Sequence, residues 1–439
     1  MASSAEKHIC VFACRWCSLL GAERAGRAQL PLPAGIRLIP VSCAGSVSAD
    51  AVIQAFVNGA AGVAVLGCHL GGCRHNDANR DEHVRLDVLA NLLEAAGIDR
   101  RRLLISWGTA HEAEQYARTM NDFAAELEKL PAMMPVEAAT DKRPELPARN
   151  VAEASPAAPE LREKAAEAIR EGHVVLALSA SSAGPIPALF HREEELENMV
   201  SGIKHPLGKL AGLILRDKRN GEVRGSDDMV LRAAALAADA PLAVVCRSCD
   251  ARAIKEQAAL NQFAAESVRL IAEPCSAEQI AACGCERPEW PGEAAAPVAE
   301  AVPAALTDVA ANAARWAEQF SRCVQCHWCR KACPVCVCPT CAVDSSAILP
   351  AGMQPPSPLG YHLVRAMHVA DSCVQCGACQ DACPQGLPLL ELHQAVARAL
   401  KGWGYASGEG SLSPMRAQRR LGDALGIAAP EWKSTGGTK

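Results

Sequence analysis

Two stretches of this chain carry the same spacing. Cys323-Val324-Gln325-Cys326-His327-Trp328-Cys329 leads to Cys333-Pro334, and Cys373-Val374-Gln375-Cys376-Gly377-Ala378-Cys379 leads to Cys383-Pro384. Each is the bacterial ferredoxin run Cys-x2-Cys-x2-Cys-x3-Cys-Pro. Three closely spaced thiolates wrap three irons of one cubane. The fourth, followed by proline, turns away and ligates the other cluster. Any fold must therefore bring the two copies together. The register assigns Cys323, Cys326, Cys329 and Cys383 to one 4Fe–4S cluster, and Cys373, Cys376, Cys379 and Cys333 to a second. Zinc sites also use Cys-x2-Cys pairs, but a triple run has little use around one tetrahedral ion. With every iron held by protein, such a pair is an electron wire rather than an active site.

The rest of the chain is equally thiol-rich, with 22 cysteines in 439 residues. Disulfide scaffolds are small secreted domains, so a chain this long with no secretory signal reads as a cytoplasmic metal-binding protein. No uncharged apolar stretch of ~18 residues is present, so no membrane span is expected. A net charge of −5 and an aromatic content of 4% argue against a nucleic-acid partner. At roughly 150 residues per domain the length suggests about three domains. Pro/Ala/Glu-rich stretches at 131–160 and 286–307 read as linkers. They divide the chain into 1–130, 161–285 and 308–402, with a Gly-rich tail at 403–439 and a short helix expected around Met415 to Leu425.

In the first domain, Ile9 to Ala13, Ile36 to Ser42, Gly62 to Gly67 and Leu103 to Trp107 read as buried strands. Helical spacing falls between them at Ala49 to Asn58, His83 to Ala96 and Ala110 to Leu127, with Ser48 and Thr109 as N-caps. Alternation of this kind predicts an α/β fold, a flavodoxin-like parallel sheet with helices on both faces. Cys14 and Cys17 then follow the first strand, Cys43 the second, and Cys68 and Cys73 the third. All lie at the carboxyl edge of the sheet, where open α/β sheets bind ligands. Four thiolates there suit an iron–sulfur cluster or zinc, leaving one of Cys68 and Cys73 surplus. Cys10, inside a strand, reads as a small buried hydrophobe.

Cys14-Arg15-Trp16-Cys17, Val41-Ser42-Cys43-Ala44-Gly45 and Gly67-Cys68-His69-Leu70-Gly71-Gly72-Cys73-Arg74-His75 resemble the delta subunit of methyl-viologen-reducing hydrogenase. The resemblance implies one 2Fe–2S cluster. It also implies a role linking a hydrogenase or formate dehydrogenase to a heterodisulfide reductase, in an arrangement open to electron bifurcation.

The middle domain reads as a second α/β unit. Strands are expected at Val174 to Leu178, Leu210 to Leu215, Leu242 to Val245 and Val268 to Ala272. A helix is expected over Asp250 to Gln262, with Asp250 as its cap. Cys246 and Cys249 end one strand and Cys275 the next, with Cys283 and Cys285 close behind. By the same edge argument these thiols form a candidate further cluster, the alternative being free thiols. Cys336, Cys338 and Cys341 are too dense for core packing and are candidates for another metal together with a middle-domain cysteine. Arg247 through Ala253, Arg269 through Cys275, Phe320 through Cys341 and Arg365 through His368 resemble beta subunits of formate dehydrogenase and deazaflavin-reducing hydrogenase. That resemblance implies FAD and hydride exchange with a soluble nicotinamide or deazaflavin carrier. No G-x-G-x-x-G loop is present, and Ser179 to Pro187 is the one small-residue segment suited to approach a phosphate.

The expected whole is a flavodoxin-like domain, a second α/β domain and an α-helical/loop dicluster ferredoxin-like domain. Its expected role is electron transfer beside a heterodisulfide-reductase-like flavoprotein and other redox subunits. The alternative is an FAD-containing oxidoreductase subunit.

Overall fold

The computed structural model describes residues 8–75, 78–108, 112–133, 154–182, 184–220, 240–292, 308–338, 341, 343 and 357–408. The expected tail helix and the Thr109 cap lie outside these residues. So do most of both expected linkers.

The first unit runs β1 (His8–Cys14), α1 (Ser18–Arg27), β2 (Ile36–Val41), α2 (Ala49–Val57), β3 (Ala60–Gly67), α3 (Ala78–Ala95), β4 (Leu103–Trp107) and α4 (Ala113–Glu128). Its four strands are parallel in the order β2-β1-β3-β4, the doubly wound arrangement expected. Side chains alternate across each strand. Cys10, Phe12, Val63 and Val65 therefore face Leu86, Leu89 and Leu93 of α3. Ile9, Val11, Ala64 and Leu66 face Tyr116, Met120, Phe123 and Leu127 of α4. Each Val, Leu, Ile, Phe or Met among them stabilises the fold by about 1.5–3 kcal/mol when fully buried. Ser48 caps α2, accepting from the Ala51 amide at 3.2 Å. β2 differs from expectation, because Arg37 to Pro40 are exposed. It is the edge strand, where Pro40 needs no ladder partner.

The second unit runs β5 (Ser155–Pro156), α5 (Pro159–Arg170), β6 (Val174–Ser179), β7 (Ile186–Phe190), β8 (Met199–Ser201), α6 (Leu207–Asn220), β9 (Leu242–Cys246), α7 (Ser248–Ala259), β10 (Val268–Ala272) and α8 (Ala277–Cys283). Its sheet is mixed, in the order β10-β9-β6-β8-β5 with β7 on β6; β10, β9 and β6 are parallel. Two expectations fail here. Leu210 to Leu215 is helix, not strand. Its buried residues Leu207, Leu210, Ala211, Ile214 and Leu215 have helical spacing once the run is read with its flanks. Asp250 lies inside the first turn of α7, and its carboxylate accepts from the Gly208 amide of α6 at 2.7 Å instead of capping its own helix. Ser179 to Pro187 joins the antiparallel β6 and β7, so it opens no helix toward a phosphate.

The third unit contains α9 (Val309–Ser321), α10 (Trp328–Lys331), α11 (Pro358–His368), α12 (Ala378–Asp381) and α13 (Leu389–Gly402). It shares one apolar core with the first unit: Leu89 and Leu92 of α3 pack with Leu363 of α11 and Val396 and Leu400 of α13. Gly97 makes the approach possible. A Cβ there would stand 2.1 Å from Ala313 Cα, and its φ is +86°. Asp50 pairs with His368 at 2.8 Å, and Asp87 accepts from Trp403 Nε1 at 2.8 Å. No helix among the described residues is long and apolar enough to cross a membrane.

Candidate iron–sulfur centres

At the first site, parallel topology does the assembling. Cys14 ends β1, Cys17 is the N-cap residue of α1, Cys43 follows β2, and Cys68 follows β3. Asn79 of α3 donates to the Cys68 and His69 carbonyls, each at 3.0 Å, and so fixes the loop that carries Cys73. The five thiols fall into two groups. Cys14, Cys17 and Cys68 lie within 4.8 Å of one another, with Cys68 and Cys17 sulfurs 3.2 Å apart. Cys43 and Cys73 sulfurs are 3.8 Å apart. Two thiolates on one tetrahedral metal with ~2.3 Å bonds stand roughly 3.8 Å apart. The pair has the spacing of two thiolates on one metal, and the trio holds one thiol more than such a pair. Both Cys68 and Cys73 are at the site.

Burial pushes the Cys43 thiol up to about 12 and also raises Cys68. Hydrogen bonding from Cys17 holds Cys14 down, to about 5. Burial without metal thus keeps most of the sulfurs protonated, whereas a bound cation deprotonates a coordinating thiol outright. His83 accepts from Trp107 Nε1 at 3.1 Å instead of joining the thiols.

In the third unit the two runs repeat their backbone as well as their spacing. Gln325 and Gln375 have φ of 50° and 54°, and His327 and Gly377 have 61° and 72°. These left-handed turns let each short loop wrap inward. The thiols of each set act on one another electrostatically: Cys323 with Cys326, Cys329 and Cys383, and Cys373 with Cys333 and Cys379. Cys333, Cys373, Cys376 and Cys379 line a single cavity with Arg365 and His393.

The surroundings of the two sets differ. Cys326 of the first set is exposed. Cys323 lies 3.4 Å from His362 Nε2, and Cys329 lies 3.9 Å from the Tyr361 hydroxyl. Burial and Arg365 hold His362 neutral, with its pKa lowered to about 3. Trp328 is 45% exposed. His327 stacks on Tyr361 at 4.7 Å.

Beside the second set, Arg365 is fully enclosed. It donates to His393 Nε2 at 2.9 Å and to the Cys329 carbonyl at 3.1 Å, spanning both sets. Burial opposes its charge, but the facing sulfurs of Cys336, Cys333, Cys379 and Cys329 override that and raise its pKa. Lys209 is also buried, near Cys333 and Cys336, and burial lowers its pKa. The sequence marked Arg365 only within a family resemblance and did not mark Lys209, because their role beside the thiols comes from where helices α6 and α11 pack.

The three additional thiols have separate surroundings. Cys336 packs beside Cys333, Cys373 and Cys376, Cys338 is exposed, and Cys341 packs against the core shared by the first and third units. In the middle unit Cys246 is buried in the core between sheet and helices, whereas Cys249, Cys275, Cys283 and Cys285 are partly exposed around the sheet edge.

The donor sets are all thiol and partly pre-formed, and buried cations flank the ferredoxin-run thiols, which fits anionic iron–sulfur clusters. A family profile described as methyl-viologen-reducing hydrogenase, delta subunit, matches residues 9–131, and one described as a 4Fe-4S binding domain matches residues 367–387. The chain is 36% identical over 135 residues to the vhc iron-sulfur subunit of the F420-non-reducing hydrogenase of Methanococcus voltae, covering 31% of this chain and 92% of that one. It is 34% identical over 133 residues to one of the subunits of the ferredoxin:CoB-CoM heterodisulfide reductase of Methanosarcina mazei, covering 29% of this chain and 17% of that one. A third match, 40% identical over 100 residues, is to the beta subunit of the F420-dependent formate dehydrogenase 1 of Methanococcus maripaludis, covering 23% of this chain and 26% of that one. The chain thus spans only a small part of the reductase and formate dehydrogenase polypeptides.

Proposed function

Because the chain belongs, through residues 9–131, to the methyl-viologen-reducing hydrogenase delta-subunit family, we propose that it relays electrons within a larger redox complex. In this reading one 2Fe–2S centre sits on Cys43, Cys73 and two of Cys14, Cys17 and Cys68. Two 4Fe–4S centres take the ferredoxin-run thiols. The relay joins a hydrogenase- or formate-dehydrogenase-type module to a flavin-containing heterodisulfide-reductase-like module in the cytoplasm.

The observation that carries it is that one packed core takes in thiols of the first site, Cys323, Cys329 and Cys383 of the first ferredoxin-run set and Cys379 of the second, with Cys333, Cys373 and Cys376 in a smaller cluster of their own. Bound clusters supply one-electron chemistry. The chain's residues supply the rest. Helices α3, α11 and α13 exclude water and hold the units rigid, Arg365 places a positive charge between the two cubane sets, and Tyr361 and His362 offer polar contacts to the first. Half-buried Cys68 and Cys73, beside exposed Trp16 and Leu70, leave the first site open toward a docking partner.

The full chain, purified without oxygen and reduced, should give a 2Fe–2S EPR signal and the broadened signal of two interacting cubanes. It should hold at least about ten irons. A colourless protein holding zinc would overturn the reading. A cavity of about 290 Å³ between the middle and third units, lined by Lys204, His205 and Lys209, favours the alternative in which a flavin part docks there. Flavin released on denaturation, together with carrier-dependent dye reduction, would support that alternative.

A further inference from the structure

We infer that Cys249, Cys275, Cys283 and Cys285 form an additional 4Fe–4S site set against the second cubane. The inference rests on the relay reading above and extends it into the middle unit. Topology brings the four together as it does in the first unit. β9 and β10 are adjacent and parallel, and Cys249, just inside α7, and Cys275, after β10, leave the sheet at the same carboxyl edge. Cys246 is excluded because it is buried in the core.

Local structure positions the other two. α8 starts in a reciprocal cap between Ser276 and Gln279, with contacts of 2.9 and 3.3 Å. It ends at Gly284, whose φ of +56° reverses the chain between Cys283 and Cys285. The segment after Cys285 is then fastened over the start of α7. Arg252 donates to the Glu289 carbonyl at 3.0 Å and the Arg287 carbonyl at 2.6 Å, and Ser248 donates to the Pro288 carbonyl at 2.7 Å. This uses the first half of an expected linker as a clamp.

The same loop is tied to the third unit. Gln394 donates to the Gly284 carbonyl at 3.1 Å, Arg398 pairs with Glu286 at 2.7 Å, and Arg287 donates to the Ser407 carbonyl at 2.7 Å. Ser407 in turn donates to the Cys373 carbonyl at 2.8 Å. Cys249 and Cys376 line one cavity together with Lys204. Arg247, Arg252 and Lys204 act electrostatically on these thiols and offset the charge of a cluster.

Spacing selects the metal group. Among the described residues, only Cys14, Cys17 and Cys68 form a group of three close enough for a single ion. The middle four are more widely spread, as are the ferredoxin-run thiols. Ligands to a cubane sit on four different irons and so stand apart, which favours a cubane over zinc. Such a cluster, once bound, would exchange one electron with the second cubane, each gaining what the other loses.

Iron and acid-labile sulfide per full chain test the inference, with EPR of the reduced protein alongside. The expected result is about fourteen irons rather than about ten. Cys283→Ser and Cys285→Ser should each lose about four irons and one cubane signal, while the 2Fe–2S signal and the interacting pair persist. Ten irons with those three signals present would overturn this site and leave the relay reading intact. Ten irons plus one zinc would also overturn it. Where a variant loses more than one cluster, the iron count of the unaltered chain decides.

Discussion

The first thiol site and the second cubane site are both built from residues far apart in sequence, yet they are assembled differently. At the first, a parallel sheet delivers five thiols to one edge, and they stand in contact, as a pair at 3.8 Å and a trio within 4.8 Å. At the second, a repeated loop folds over itself, and the thiols stand apart around a cavity with a buried guanidinium alongside. Close pairs suit two ligands on one iron; spread thiols suit one ligand on each of four. The contrast also concerns stability. The first unit has a sheet and two helical layers that close without metal. In the third unit the short helices α10 and α12 have four residues each, and in the relay reading the loops around them depend on bound clusters for their order.

The largest expected effect separates the two regions outright. Removal of iron by a chelator under reducing conditions should abolish hydrogen-exchange protection in residues 323–333 and 373–383, while β1 and β3 keep theirs. Equal loss in both would erase the contrast. Single replacements sharpen it next. Cys43→Ala and Cys73→Ala should each lose about two irons and the 2Fe–2S signal. Of Cys14→Ala, Cys17→Ala and Cys68→Ala, one should keep both, and loss in all three would show that no thiol is spare.

A smaller effect concerns charge. Arg365→Gln removes one buried cation beside the second cubane. At an effective dielectric near 20 and several ångström this is worth about 2 kcal/mol, or roughly 90 mV for one electron. Redox-titrated EPR should show the potential fall by that order, and Arg365→Lys should restore part of it. An unchanged potential would mean that Arg365 does not tune the cluster. Cys10→Ala should do least: no iron lost, and about 1 kcal/mol of stability gone, read as a small drop in Tm. Iron loss there would place Cys10 among the ligands.

Much of this was legible along the chain. Parallel strands β1, β3 and β4 are short aliphatic runs, and the helices between them keep helical spacing to within a few residues. The ferredoxin runs are local motifs, so their pairing could be read from register. Legibility failed where the deciding partner was distant. The run Leu210 to Leu215 is too short to distinguish a buried strand from a buried helix without its neighbours. Ile36 to Val41 is aliphatic enough for a central strand, but only the sheet order makes it an edge. Asp250 has the chemistry of a cap, yet the amide it satisfies belongs to Gly208 on another helix.

The sequence by itself determined which residues carry chemistry and, through spacing, which three thiols share each cubane loop. Covalent connectivity suffices there, because each loop spans only a few residues. Tertiary structure alone decided which thiols are close enough to share one metal at the first site. It also decided that the segment after Cys285 bonds to Ser248 and Arg252 of α7 on one side and, through Arg287, to Ser407 of the third unit on the other, and that Arg365 reaches from His393 to the Cys329 carbonyl. These depend on sheet order, helix packing and the close approach at Gly97, where distances are set by the whole core and no local pattern records them.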